Sequence, residues 1–206
     1  MHLYLSSFLL GNRASELAPL VRTRKAAVVA NALDNIEADV KRGFVHGQVE
    51  DLRGLGFQAQ ELDLRDYFGA PDRLAHRLND VGLVWVTGGN SFLLRRAMNQ
   101  SGFDEYVLKN KGTDTLVYGG FSAGACVAAP TLRGVHLVDV PEASAEGYAN
   151  GVIWDGLGLV PYSIAPHFKS NHSESGRVDA MVQYFVDNNM PFVALRDGEV
   201  IISVAG

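Results

Sequence analysis

Cysteine is nearly absent: Cys126 is the single thiol among 206 residues. One thiol forms neither an internal disulfide nor a thiolate cluster for zinc, which excludes a disulfide-stapled scaffold and points to a reducing cytoplasm. A basic excess is missing too. Eighteen Lys and Arg stand against 23 Asp and Glu, a formal net charge of -5, so no concentrated cationic surface neutralises phosphates and nucleic acid is not an expected partner. The longest basic cluster, Arg22 to Lys25, is broken by Thr23 and runs into an apolar strand, as a solvated strand entry does. No apolar run reaches the roughly 18 residues of a membrane helix, so no membrane partner is expected. Met1-His2-Leu3-Tyr4-Leu5 also lacks the basic start and small-residue cleavage site of a signal peptide. With no Gly/Ser linker, internal repeat or low-complexity tract, residues 1–206 are expected to form one domain with a sizeable core.

What is present is alternation. Short apolar runs and amphipathic stretches follow one another along nearly the whole chain, the pattern of an α/β fold whose doubly wound, mostly parallel sheet is flanked by helices. Strands are expected at 3–8, 26–30, 57–62, 83–87, 115–118, 162–165, 192–195 and 200–204. Ile36, Val40, Phe44 and Val49 recur at near-helical spacing within 36–55, and Val178, Met181, Val182 and Phe185 do so within 177–185, which predicts two core-facing helices. Residues 138–154 form the one long interruption, and two readings of it stand level: a roof over a site, or ordinary surface.

The stretch Thr115 to Ala125 joins an apolar strand to G-x-S-x-G and a small-residue helix, which reads as a nucleophile elbow at Ser122. Glycines on either side relieve crowding in such a turn, and the following helix aims free backbone N–H groups, Ala123 first, at an oxyanion on the serine. A second glycine turn, Gly88-Gly89-Asn90-Ser91-Phe92, also lies between an apolar strand and a helix, so Gly89 is placed to supply another N–H, with Asn90 or Ser91 as helix cap. Phosphate-loop and dinucleotide glycine patterns are both missing. Of six histidines, His167 stands directly after a late strand and is the favoured base, while His172 reads as solvent-exposed. Asp197 follows the next strand and is the candidate orienting acid; Glu199 and Asp139 compete, and a plain Asp-Gly hairpin turn is the alternative for Asp197.

In this order, the glycine turn at 88–92, Gly120-Phe121-Ser122-Ala123-Gly124-Ala125, Pro166-His167-Phe168 and the Asp197-Gly198 turn resemble the S51 serine peptidases, the dipeptidase E branch in particular, over about residues 80 to 200. The resemblance implies a class I glutamine amidotransferase-like fold with Ser122 where those enzymes carry cysteine, His167 as base, and Gly89 and Ala123 as the oxyanion hole. The order Ser, His, acid differs from the Ser, acid, His order of α/β-hydrolases. Dipeptidase E carries glutamate as third member, so Asp197 has a shorter reach that the backbone turn must offset. Relatives usually continue through a further strand or hairpin beyond the position of Val204-Ala205-Gly206, so a different sheet edge is expected, and an apolar one would let two chains pair as a homodimer. Dipeptidase E holds an N-terminal aspartate through an arginine, for which Arg177 is the nearest match; Asn90 is the other candidate substrate contact.

These readings converge on a serine exopeptidase or dipeptidase that cleaves short peptides through an acyl-enzyme, N-terminal Asp-X dipeptides being one option, with no metal or cofactor required. Cys126, one helical turn beyond Ser122, reads as a small core residue. The competing readings are a broader S51 peptidase, including a cyanophycinase-like one, and a catalytically silent module that keeps the pocket for a small ligand.

Overall fold

Leu83-Val84-Trp85-Val86 is apolar without a break, and only a strand covered on both faces has use for such a run. In the computed structural model, which describes residues 1–204, this strand (β4, Leu83–Val86) lies inside a six-stranded sheet. The others are β1 (His2–Ser6), β2 (Lys25–Val29), β3 (Gln58–Glu61), β5 (Val117–Phe121) and β8 (Val200–Ser203), in the order β3-β2-β4-β5-β1-β8. All neighbours are parallel except β1 and β8. Two further strands, β6 (Ser163–Ala165) and β7 (Phe192–Ala194), pair in parallel as a separate small sheet. The expected single sheet is therefore divided, six strands and two, among the described residues.

Side chains alternate between two cores. Tyr4, Val28, Leu83 and Trp85 pack on one face with Val45, Val49 and Leu52 of α2 (Ala38–Gly54). Leu5, Val29, Val84 and Val86 pack on the other with residues of α3 (Pro71–Leu78), α4 (Ser91–Ser101), α5 (Phe103–Lys109), α6 (Ala123–Cys126) and α7 (Ser175–Asp187). The period of two along a strand thus fills both layers from one short sequence. A brief α1 (Leu17–Leu20) leads into β2. None of the described helices is long and apolar enough to cross a membrane.

The core face of α2 departs from expectation. Ile36 and Val40 are exposed and Phe44 is half-buried, whereas Lys41, Val45, Gln48, Val49 and Leu52 are buried. Lys41 is drawn in because its ammonium bonds the Asp34 carboxylate and faces Asp63 at 3.8 Å. Those charges fix the rotation of the first turn, and 45, 49 and 52 follow it round. α7 keeps the expected face, with Val178, Met181 and Phe185 buried.

Close approach of α6 to β4 depends on one missing side chain. A Cβ on Gly124 would lie 2.3 Å from the Val86 carbonyl oxygen, which is backbone and has nowhere to go. Gly124→Ala is expected to destabilise the protein by about 2 to 3 kcal/mol, lowering Tm in calorimetry by several degrees; an unchanged Tm would show that α6 stands off the sheet.

Candidate active site

Parallel strands end at one edge, so residues that follow them are neighbours in space although far apart in sequence. β1, β4 and β5 deliver Ser7, the Gly88-Gly89 turn and Ser122 to that edge, and the β6–β7 pair delivers His167 and Asp197. The structure brings Ser122, His167 and Asp197 into one hydrogen-bonded line. His167 Nε2 lies 3.0 Å from Ser122 Oγ, and His167 Nδ1 lies 2.7 Å from Asp197 Oδ1. A carboxylate at Nδ1 needs the N–H there, which leaves the Nε2 lone pair facing the serine hydroxyl.

Ser122 stands between β5 and α6 with φ 49° and ψ −112°, a backbone conformation that L side chains avoid. Its carbonyl accepts from the Ala125 and Cys126 amides at 3.0 and 2.9 Å, and its own amide donates to Ser6 O at 3.3 Å, so helix and sheet together hold the strain. His167 is also in the left-handed region, at φ 60°. Its amide donates to Ser7 Oγ at 2.8 Å, and the Ser7 hydroxyl donates to Asp197 Oδ1 at 2.9 Å. The Asp197 amide donates to Ser170 Oγ at 2.8 Å and Phe168 N to Leu195 O at 2.9 Å. These bonds draw the 195–198 turn toward the imidazole and offset the short reach of aspartate. Burial pushes the His167 imidazole below its ordinary pKa, with Asp197 pulling the other way, so the ring is neutral at neutral pH and able to take a proton.

Ala123 opens α6, and its amide has no intrahelical acceptor. Gly89 has φ 131° and its missing Cβ would lie 2.5 Å from the Ala32 carbonyl oxygen, so only glycine fits that turn. Asn90 is occupied: its Oδ1 accepts from the Phe92 and Leu93 amides and its Nδ2 donates to Val140 O at 2.9 Å, which makes it the cap of α4 and removes it from substrate contact. Arg177 is turned aside as well, donating to Val138 O at 2.8 Å and standing 3.3 Å from Glu174. Glu199 accepts from the Arg196 amide, and Asp139 from the Ser91 amide at 2.8 Å, so neither of these competing acids orients His167. The 138–154 stretch covers the start of α4 through Asp139 and Val140 and reaches the hollow beneath Ser122.

His172, expected in solvent, is half-buried and stacks on His167 with centroids 3.7 Å apart and planes 8° from parallel, and Phe8 meets both rings edge-on. His167, His172 and Glu174 place one ligand atom each within 4.8 Å of the others. Parallel rings hold their lone pairs in parallel planes, so the set converges poorly on a single ion. Beside Ser122 a cleft of about 180 Å³ is lined by Phe8, Leu33, Phe44 and Phe121, with Glu174 and His172 on its rim. A larger hollow, about 740 Å³, opens at the opposite sheet edge near Thr23 and Leu116 and holds none of the triad.

The profile of peptidase family S51 matches residues 30–205. The chain belongs to this family. It is 33% identical to the Peptidase E of Streptomyces coelicolor over 142 residues, 66% of this chain and 54% of that protein. It is 28% identical over 153 residues, 71% of this chain and 58% of the relative, to the Drosophila melanogaster protein named "Probable alpha-aspartyl dipeptidase". The match thus spans little more than half the length of these curated relatives. A 1.5 Å crystal structure of a Listeria monocytogenes EGD-e protein described as a peptidase E superposes with a TM-score of 0.70 at 21% identity, covering 100% of this chain and 98% of that one, so the S51 chain has the same fold.

Sequence reasoning left Ser7, Ser170 and Glu174 without roles. Ser7 carried one usable signal, its place at the end of a central strand; Ser170 and Glu174 carried none.

Two measurements follow from the strain and burial. Ser122→Gly is expected to unfold several degrees above Ser122→Ala, because glycine relieves about 1 kcal/mol or more of strain that alanine retains; coincident Tm values would mean an unstrained elbow. Asp139 is buried and its carboxyl is pushed up to about 6, so the folded protein holds that proton more tightly than the unfolded chain does. Its contribution to stability is present below about pH 4 and lost as pH rises through about 6. Asp139→Asn should therefore gain roughly 3 kcal/mol on wild type as pH rises between those limits, read as the difference of two urea titrations so that His167, whose sign is opposite, cancels.

Proposed function

We propose that the chain is a serine exopeptidase, most simply a dipeptidase, acting on short peptides in the cytoplasm. The observation that carries this reading is the line from Asp197 through His167 to Ser122, with separations of 2.7 and 3.0 Å, in a site that keeps the imidazole neutral. In the proposed reaction Ser122 Oγ attacks the peptide carbonyl while His167 Nε2 takes the hydroxyl proton. The amides of Gly89 and Ala123 receive the oxyanion. His167 then gives the proton to the leaving amine, the C–N bond breaks, and the acyl group remains on Ser122. Water enters, His167 takes its proton, and the acid leaves as Ser122 recovers its hydrogen. Asp197 holds the ring and offsets the charge it acquires.

Small substrates are supported by the confined cleft, about 180 Å³, and by the relatives named for peptidase E and aspartyl dipeptidase activity. The one thiol, Cys126, is buried and pushed upward by burial, which suits a core residue in a reducing compartment.

Hydrolysis of a dipeptide panel, with free amino acid as readout, is expected to lose about 10⁴-fold or more of kcat/KM in Ser122→Ala. A fluorophosphonate probe is expected to label Ser122 of the wild type. Turnover that survives Ser122→Ala would overturn the assignment, and neither turnover nor labelling would leave a pocket that binds a small ligand without reacting with it.

A further inference from the structure

We propose that the cleft beside Ser122 receives an unblocked peptide whose first residue is apolar, and that the Glu174 carboxylate holds the peptide's free α-ammonium. The inference rests on the serine peptidase reading and specifies the substrate for that same site.

Position is the first reason. A Glu174 oxygen lies within 4.8 Å of a ring nitrogen of His167, and Glu174 borders both the cleft and the small hollow under Ser122. In a peptide bound for attack by Ser122, the α-nitrogen of the first residue is about 2.5 Å from the carbonyl carbon under attack. It must therefore lie within a few ångströms of Ser122 and His167, where this carboxylate stands.

Availability is the second. Glu174 Oε1 meets Arg177 at 3.3 Å, but that guanidinium is more than half exposed and spends its better bond, 2.8 Å, on Val138 O. A solvated pair of this kind holds a carboxylate weakly and leaves it capacity to accept from a second cation. The Glu174 backbone amide donates to His172 Nδ1 at 3.3 Å, which ties the turn to the stacked histidines and fixes where the side chain begins.

The walls are the third. Phe8, Leu33, Phe44 and Phe121 make an apolar cleft of about 180 Å³, room for a leucine- or phenylalanine-sized side chain. Among the described residues no Lys or Arg lines it, and Arg177 is not part of it. An aspartate side chain placed there would meet aromatic rings and a like charge, with no guanidinium to receive it. The cationic clamp that aspartyl specificity requires is thus missing from the cleft, and an anion has been put where an ammonium would sit.

The test compares Leu-Leu, N-acetyl-Leu-Leu, Asp-Leu and Lys-Leu with wild type and Glu174→Gln, alongside fluorophosphonate labelling of the wild type. Acetylation is expected to lower wild-type kcat/KM by about 10- to 100-fold, the worth of one charge-assisted bond, with Leu-Leu preferred over Asp-Leu. Glu174→Gln is expected to lose a similar factor on Leu-Leu and to close most of the gap to the acetylated peptide. Equal cleavage of Leu-Leu and N-acetyl-Leu-Leu, or preference for Asp-Leu or Lys-Leu over Leu-Leu, would each overturn the proposal while labelling left the triad standing. The acetylation comparison uses wild type alone, so it decides the matter even if Glu174→Gln does not fold. No labelling and no turnover would overturn the serine peptidase reading, and this one with it.

Discussion

The buried Ser7 hydroxyl ties the base and the acid of the small sheet to the six-stranded one. It sits just past β1, inside the six-stranded sheet, and accepts from the His167 amide while donating to the Asp197 carboxylate, both of which hang from the separate β6–β7 pair. Other bonds cross the same junction, among them Ser122 to His167 and the backbone pairs Ser7 N to Glu199 O and Asn12 N to Gly198 O, but Ser7 Oγ meets the base and the acid at once. With it, the base and the acid are referenced to the same strand edge as the nucleophile. Ser7 is fully buried, so the bonds are made away from water and are costly to leave unmade.

The site concentrates backbone strain that the rest of the fold offsets. Ser122 and His167, two of the five non-glycine residues at positive φ among the described residues, are the pair whose side chains face each other. Each is restrained from outside its own turn, Ser122 by Ser6 and the first turn of α6, His167 by Ser7. The two-layer core pays for this: Trp85, Tyr118, Phe92 and Phe103 are fully buried around strands whose carboxyl ends carry the chemistry. Small residues make the close approaches possible, with Gly124 letting α6 lie on Val86 and Gly89 folding the neighbouring turn under Ala32.

Electrostatics divide the site by charge. The imidazole is kept neutral by burial against the pull of Asp197, while Asp139, buried beneath the start of α4, resists ionisation and holds the Ser91 amide. Glu174 is the half-exposed anion at the rim. Asn90 is taken up by the α4 cap and Val140, and Arg177 is directed at Val138 O and Glu174 and does not line the cleft.

By itself the sequence determined the elements and their chemistry. Short apolar runs marked the eight strands of the described residues, because each strand must cover one or two cores, and the glycine spacing around Ser122 marked the elbow, because that spacing relieves the turn. The strand-end positions of His167 and Asp197 followed from the same reasoning. Tertiary structure alone decided the division into two sheets, the rotation of α2 about its Lys41–Asp34 pair, the stacking of His172 on His167, and the bridging of the whole by Ser7. The physical reason is that periodicity and turn chemistry report where the chain is apolar and where it bends, whereas these four depend on which strands and polar side chains meet once it has folded, whether near in sequence like His167 and His172 or far apart like Ser7 and Asp197.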